Sequence, residues 1–291
     1  MSAHAIILCY DNEMNVLVTG AAGKTGRAVI AALVARRVAV RPFVQRRQSI
    51  PGTLPPVIGS MENPDDWARA VQGMEAIYHI CPNMHPNEVA IGALALQAAR
   101  NERIAHFVYH SVLHPQVEAM PHHWNKLRVE ELLMAGGLPL TILQPTAYMQ
   151  NLRANWTAVL EKGVLVLPYP VSSRISLVDV ADVGTVAARV LTEPGHVGAT
   201  YELVGTPPLS PVELAEQISL VLEKEVVARE MALDAWQEQA AATGMPVYAM
   251  DTLLAMFRYY AAHGLVGNTT VLRHLLGREP TSLVDCMRRW L

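Results

Sequence analysis

From Met14 to Pro145 the chain alternates two kinds of apolar pattern. Short unbroken runs stand at Asn15-Val16-Leu17-Val18-Thr19, Val38 to Val44, Val57-Ile58, Ala76 to Ile80, Phe107 to Ser111 and Leu140 to Leu143. Runs of this length, bounded by turn residues, predict strands buried on both faces. Between them lie stretches with helical spacing, such as Val29, Ile30, Leu33 and Val34 within Lys24 to Arg36. The same spacing predicts helices over Pro64 to Val71, Glu88 to Arg100 and His123 to Met134. Pro51-Gly52 and Pro55-Pro56 mark a loop, and Gln144-Pro145 stops the sixth strand. Strands and helices alternating over short connections predict an α/β fold with a doubly wound parallel sheet.

Beyond residue 150 the rhythm loosens. Asn151 to Leu160 reads as helix, Arg174 to Val178 as strand, Asp179 to Leu191 as helix and Thr200 to Val204 as the last strand. Residues 210–291 read as mostly helical. The expected organisation is an N-terminal extension over 1–13, a sheet domain over 14–150, and a region over 151–291. That last region completes the sheet and forms a smaller, mainly helical lobe.

Composition narrows the classes. The chain has 291 residues, 51% hydrophobic and 17% charged, as a soluble globular protein does. A net charge of -3 gives no sign of direct binding to nucleic acid or to an acidic membrane. No apolar run reaches the roughly 18 residues of a membrane span. Ala5 to Tyr10 is apolar but too short, and lacks a preceding basic residue, for a signal peptide. Cys9, Cys81 and Cys286 show no paired spacing, which suits free thiols in a reducing cytoplasm.

The sharpest motif is Thr19-Gly20-Ala21-Ala22-Gly23-Lys24-Thr25-Gly26-Arg27, a GxxGxxG that leaves a predicted strand and opens a predicted helix. The first glycine permits the turn, the second lets backbone approach a pyrophosphate, and the third lets the helix pack on the sheet. The helix start then offers free N–H groups and partial positive charge. Thr19, Gly20, Ala22, Gly23, Lys24, Thr25 and Gly26 are therefore candidate dinucleotide contacts. An NAD site usually carries an acid after the second strand. Here no acidic residue stands between Met14 and Met61, and that strand ends Val44-Gln45-Arg46-Arg47. Gln45 and Arg46 become candidates for the adenosine end, and NADP(H) is favoured over NAD(H).

The glycine motif resembles the TGxxGxxGR opening of atypical and extended short-chain dehydrogenases. HSVLHP (110–115), HHWNKLRVEELL (122–133), LPLTILQPTAYMQN (138–151) and ISLVDVADVG (175–184) are similar to the NmrA-like branch. The resemblance covers the sheet domain to about residue 205, and FRYYAAHGLVGN and LLGREPTSL extend it toward the C-terminus. It implies a Rossmann fold with a small helical lobe closing over the nicotinamide. It also implies contacts to the nicotinamide side from Cys81, Pro82 and Asn83, mostly through backbone, and from Gln144, Pro145 and Thr146.

Typical short-chain dehydrogenases use a serine, a tyrosine and a lysine four residues after the tyrosine. The resemblance puts Lys126 in the lysine position and Ser111 in the serine region. His122 stands where the tyrosine is expected, on the same helical face. His122 or His123 could then supply a proton near neutral pH. His114, His123, Tyr148, Met149, Asn151 and Trp156 are candidate pocket walls. Met245, Tyr248, Met250, Met256, Phe257, Tyr259 and Tyr260 are candidates for an adaptable lid. His106, His110 and His114 recur every four residues, but on a strand and its loop that spacing does not converge, so no metal site is expected.

Two functions stay open. One is an NADPH-dependent reductase of a flat or apolar small molecule such as a quinone, enone or imine. The other is a dinucleotide-sensing regulator acting through a protein partner. The family that the sequence resembles contains both kinds, and a homo-oligomer fits either.

Overall fold

Val16 and Val18 point to one side of the first strand and Leu17 to the other, and all three are fully buried. That continuous apolar run is what a parallel strand covered on both faces requires. The computed structural model describes residues 14–291; the extension expected over 1–13, with Cys9, lies outside the described residues.

The main sheet has seven parallel strands. They are β1 (Asn15–Val18), β2 (Ala39–Val44), β3 (Val57–Ile58), β4 (Ala76–His79), β5 (His106–His110), β6 (Leu140–Pro145) and β10 (Thr200–Leu203). Their spatial order is β10-β6-β5-β4-β1-β2-β3. On one face, α1 (Lys24–Ala35) and α6 (Val180–Thr192) cover Val16, Val18 and Val40 with Val29, Leu33, Val183 and Val190. On the other, α2 (Pro64–Val71), α3 (Glu88–Glu102) and α4 (Pro121–Ala135) cover Leu17, Phe43, Ile77 and Phe107 with Trp67, Ile91, Ala95 and Val129. The chain leaves the sheet at β3 and returns to β4 beside β1. That reversal opens a crevice at the carboxyl ends of β1 and β4.

The second half adds a third core built on Met149, Leu152, Leu165, Ile175, Leu214, Met256 and Tyr260. It contains α5 (Trp156–Lys162), α7 (Pro211–Leu222), α8 (Leu233–Ala242), α9 (Val247–His263), α10 (Thr270–Leu276) and α11 (Leu283–Arg288). It also contains three short strands that the sequence pattern did not predict. β7 (Ala147–Tyr148) pairs with β9 (Leu177–Val178), and β8 (Val164–Leu167) pairs with β11 (Val227–Glu230). The expected strand over Arg174 to Val178 shrinks to β9, with Ile175 making single bridges to Leu209 and Leu265. The helix expected over Asn151 to Leu160 is a 3-10 turn, Met149–Asn155, that runs into α5. These elements carry no clean periodicity, because the lobe and not local pattern decides which residues they bury.

Buried carboxylates pin the lobe to the sheet domain. Asp179 caps α6 by accepting from Ala181 N at 2.9 Å and ion-pairs with Arg289. Asp182 takes Arg278 at 2.6 Å and the Thr281 backbone N–H at 2.7 Å. Among the described residues no helix is long and apolar enough to cross a membrane.

Candidate cofactor and substrate site

A single cavity of about 880 Å³ runs from the glycine loop, past the ends of β4, β5 and β6, to the aromatic face of α9. Thr19 fixes its floor. The hydroxyl donates to the Ile80 carbonyl at 2.9 Å and accepts from the Ile80 N–H at 2.8 Å, tying β1 to β4. With that proton committed, His79 Nδ1 donates to Thr19 Oγ1 at 3.1 Å. Burial pulls His79 down to about 3, so its ring stays neutral.

Gly20 has φ +56, and a Cβ there would meet Ile80 at 3.2 Å. Gly26 lies against the loop so closely that a Cβ would stand 2.7 Å from the Ala21 Cα. The start of α1 has no side-chain cap and no acid in its first turn, and it faces the cavity. Unsatisfied N–H groups and a positive dipole end opening on a cavity fit a pyrophosphate. Lys24 reaches across the mouth to Asn151 at 2.8 Å.

The basic residues of this half separate once folded. Arg27 donates to the Ala22 carbonyl at 2.9 Å, Arg36 pairs with Glu193 at 3.0 Å, and Arg41 donates to the Gln72 carbonyl at 2.5 Å. Gln45, Arg46 and Arg47 remain exposed along the cavity rim, where among the described residues neither arginine takes a carboxylate partner.

Lys126 sits in the far wall, 3% exposed, between α4 and the end of β5. Its ammonium lies 2.6 Å from Glu88 Oε1, donates to the His110 carbonyl at 3.0 Å and stands 5.2 Å above the Tyr109 ring. Burial pushes the Glu88 carboxyl up, but Lys126 and then His122 outweigh it and hold it at about 2. His122 lines the cavity, with Nδ1 at 3.6 Å from the other Glu88 oxygen, beyond hydrogen-bond length. Sequence reasoning did not single out Glu88. In sequence it is one acid in the first turn of a helix, a common dipole partner.

Ser111 lines the cavity, but its hydroxyl donates to Glu130, which Gln144 also holds at 2.9 and 3.1 Å. Burial raises the Glu130 carboxyl. Gln144 thus stands behind the wall and not in it. His123 also lines the cavity. Its Nδ1 lies 3.3 Å from the His114 carbonyl, to which it donates, and its Nε2 has no partner. Burial lowers His123 to about 3, so it is a neutral acceptor and not the proton source expected near neutral pH.

Of the residues singled out from the sequence, Cys81, Pro82, Asn83, Pro145, Thr146, Tyr148 and Asn151 line the cavity. Burial pushes the Cys81 thiol up, so the thiolate is suppressed. Three expected wall residues sit elsewhere. Met149 is fully buried in the lobe core, Trp156 packs edge-on against Trp290 at 5.0 Å, and His114 gives its carbonyl to His123. Of the expected lid, Met256, Phe257 and Tyr260 reach the cavity, joined by Leu167, Tyr169, Leu214 and Trp236. Tyr248 instead accepts from Asn125 at 2.9 Å, and Met245 and Met250 pack in a small cluster beside α8. Among the described residues no charged side chain stands in this apolar end.

A family model described as the NmrA-like family matches residues 12–287. The chain belongs to the NmrA-like family. One NmrA-like relative, the NAD(P)H azoreductase of Xenophilus azovorans, is 25% identical over 279 residues, covering 93% of this chain and 96% of that one. The crystal structure of an NADPH-dependent quinone oxidoreductase from Escherichia coli, complexed with NADPH, superposes with a TM-score of 0.82. It is 22% identical and covers 94% of this chain and 99% of that one. The structure of Nmra, a negative transcriptional regulator, gives a TM-score of 0.79 at 17% identity over 95% of each chain. A reductase and a regulator share this NmrA-like fold, so the fold leaves the choice between them to the site.

Proposed function

We propose that this protein is an NADPH-dependent reductase of flat, uncharged electrophiles such as quinones, enones or imines. The observation that carries the reading is the continuity of the cavity. An anion-binding helix start and an aromatic, charge-free chamber meet at buried Lys126. A sensor needs the first feature but not a second chamber large enough for another molecule.

The start of α1 and Lys24 hold the pyrophosphate, and Arg46 and Arg47 take the 2′-phosphate, which favours NADP(H). Lys126, with backbone from Cys81 to Asn83, holds the nicotinamide ribose. Reduced nicotinamide supplies hydride to an acceptor lying against it. Trp236, Phe257 and Tyr260 orient the acceptor ring and exclude water. Of the two histidines opening α4, His122 is the one that lies beside the Glu88 carboxylate, at 3.6 Å, and this reading gives it the part of passing a proton to the acceptor. The quinone oxidoreductase and azoreductase relatives support this choice of acceptor class.

The test is NADPH oxidation, followed by near-ultraviolet absorbance, against a panel of quinones, enones, imines and azo compounds. Turnover of at least one class is expected. Silence across the panel with tight NADPH binding by calorimetry overturns the reductase reading and leaves the regulator.

A further inference from the structure

From behind the cavity wall to its surface, a chain of hydroxyl and imidazole groups joins three strands, and two of its members, His110 and Tyr148, line the cavity. Tyr78 Oη on β4 lies 2.8 Å from His110 Nδ1 on β5, and His110 Nε2 lies 2.8 Å from Tyr148 Oη on β7. Thr25, in the first turn of α1, donates to the same Tyr148 oxygen at 3.2 Å. Tyr78 is fully buried and does not reach the cavity, whereas Tyr148 lines it.

Counting donors fixes where each proton goes. His110 is only 7% exposed, and burial pulls it down to about 3, so its ring is neutral and carries one N–H. Among the described residues Tyr78 Oη has no neighbour other than His110 to receive its proton, and a buried hydroxyl donor is costly to leave unpaired. Tyr78 therefore donates to Nδ1. The single ring proton of His110 then sits on Nε2 and is donated to Tyr148. With Thr25 also donating, Tyr148 Oη accepts two hydrogen bonds, and among the described residues no further group is placed to accept its own proton. The hydroxyl stands beside the start of α1, and the Lys24 ammonium lies 5.9 Å from the Tyr148 ring centroid.

We infer that Tyr148 donates its phenolic hydrogen bond to the bound dinucleotide, at the oxygens between its pyrophosphate and nicotinamide ribose, with Tyr78 and His110 aiming that proton. This rests on the cofactor half of the proposed function and needs no turnover. Tyr148 is a cofactor-binding donor, and Tyr78 and His110 are positioning residues. Two donated bonds also polarise the phenol, which strengthens the bond it gives to an anionic oxygen.

The tautomer is read first, in the ligand-free protein, by nitrogen-15 NMR of the His110 ring, assigned by its loss in His110→Gln. Protonated Nε2 is expected, and protonated Nδ1 overturns the inference. Calorimetry then compares NADPH binding to wild type and Tyr148→Phe, a change that keeps the ring. A loss of about ten-fold or more in affinity is expected for a hydrogen bond to a charged group. Unchanged affinity overturns the inference, as does a fall in turnover alone, which would give the proton to the acceptor. If wild type binds no NADPH, the cofactor reading itself falls and takes this inference with it. If NADPH binds but no acceptor is reduced, only the reductase reading falls.

Discussion

Lys126 and Glu88 form an ion pair of 2.6 Å with side chains only 4% and 1% exposed, one from α4 and one from α3. A buried pair of this kind punishes the loss of one partner more than the loss of both. Lys126→Met or Glu88→Gln alone is expected to destabilise the fold by about 3–5 kcal/mol, and the double variant to recover most of that. Urea unfolding of the four proteins checks it.

The same pair has a pH signature. Glu88 is held at about 2 in the folded protein against an ordinary 4.5. A depressed carboxyl stabilises above its ordinary value and loses that stabilisation as pH falls from 4.5 toward 2. The acid limb of stability should therefore be shallower in the Glu88→Gln, Lys126→Met double variant. Equal limbs would show that Glu88 is not the group responsible.

His79, His110 and His123 are each pulled by burial to about 3. Their rings should show no titration in NMR spectra taken between about pH 8 and pH 5. Because the folded values lie below the ordinary 6.5, these groups stabilise above 6.5 and destabilise as pH falls through that value toward 3.

Arg46 and Arg47 stand at the rim without carboxylate partners among the described residues. Arg46→Ala with Arg47→Ala should weaken NADPH binding about ten-fold or more and leave NADH binding nearly unchanged. Calorimetry with both cofactors reads the ratio. An unaltered ratio removes these arginines from the 2′-phosphate site.

Phe257 and Trp236 meet edge-to-face at 4.9 Å in the apolar chamber. Phe257→Ala should raise KM for a quinone roughly ten-fold while leaving NADPH affinity intact, because it removes ring contacts from the acceptor end alone. Equal losses for both ligands would place the residue in general packing.

The phosphate cradle was legible because its parts are contiguous. Thr19 through Gly26 must turn, approach a ligand and start a helix within one short segment, and each demand selects a residue type. The seven-stranded sheet was legible for a related reason: its central strands are buried on both faces, so β1 and β4 read as nearly unbroken apolar runs. Glu88 was not legible, since nothing local separates a carboxylate that pairs with a cavity lysine from an ordinary helix-start acid. Met149 and Trp156 misled because an apolar residue after a strand suits a pocket wall or a core equally well. Three-dimensional packing alone assigns it.

By itself the sequence determined the doubly wound sheet, the anion-binding turn and the absence of an acid at the ribose end. All three follow from local pattern and residue chemistry. Tertiary structure decided which histidines are neutral, which hydroxyls are already committed, and that Tyr148 has a proton to give. Tyr78 and His110 lie 32 residues apart, and His110 and Tyr148 lie 38 apart. Parallel strands join such positions only after a helix has crossed over, so their hydrogen bonds leave no short-range trace.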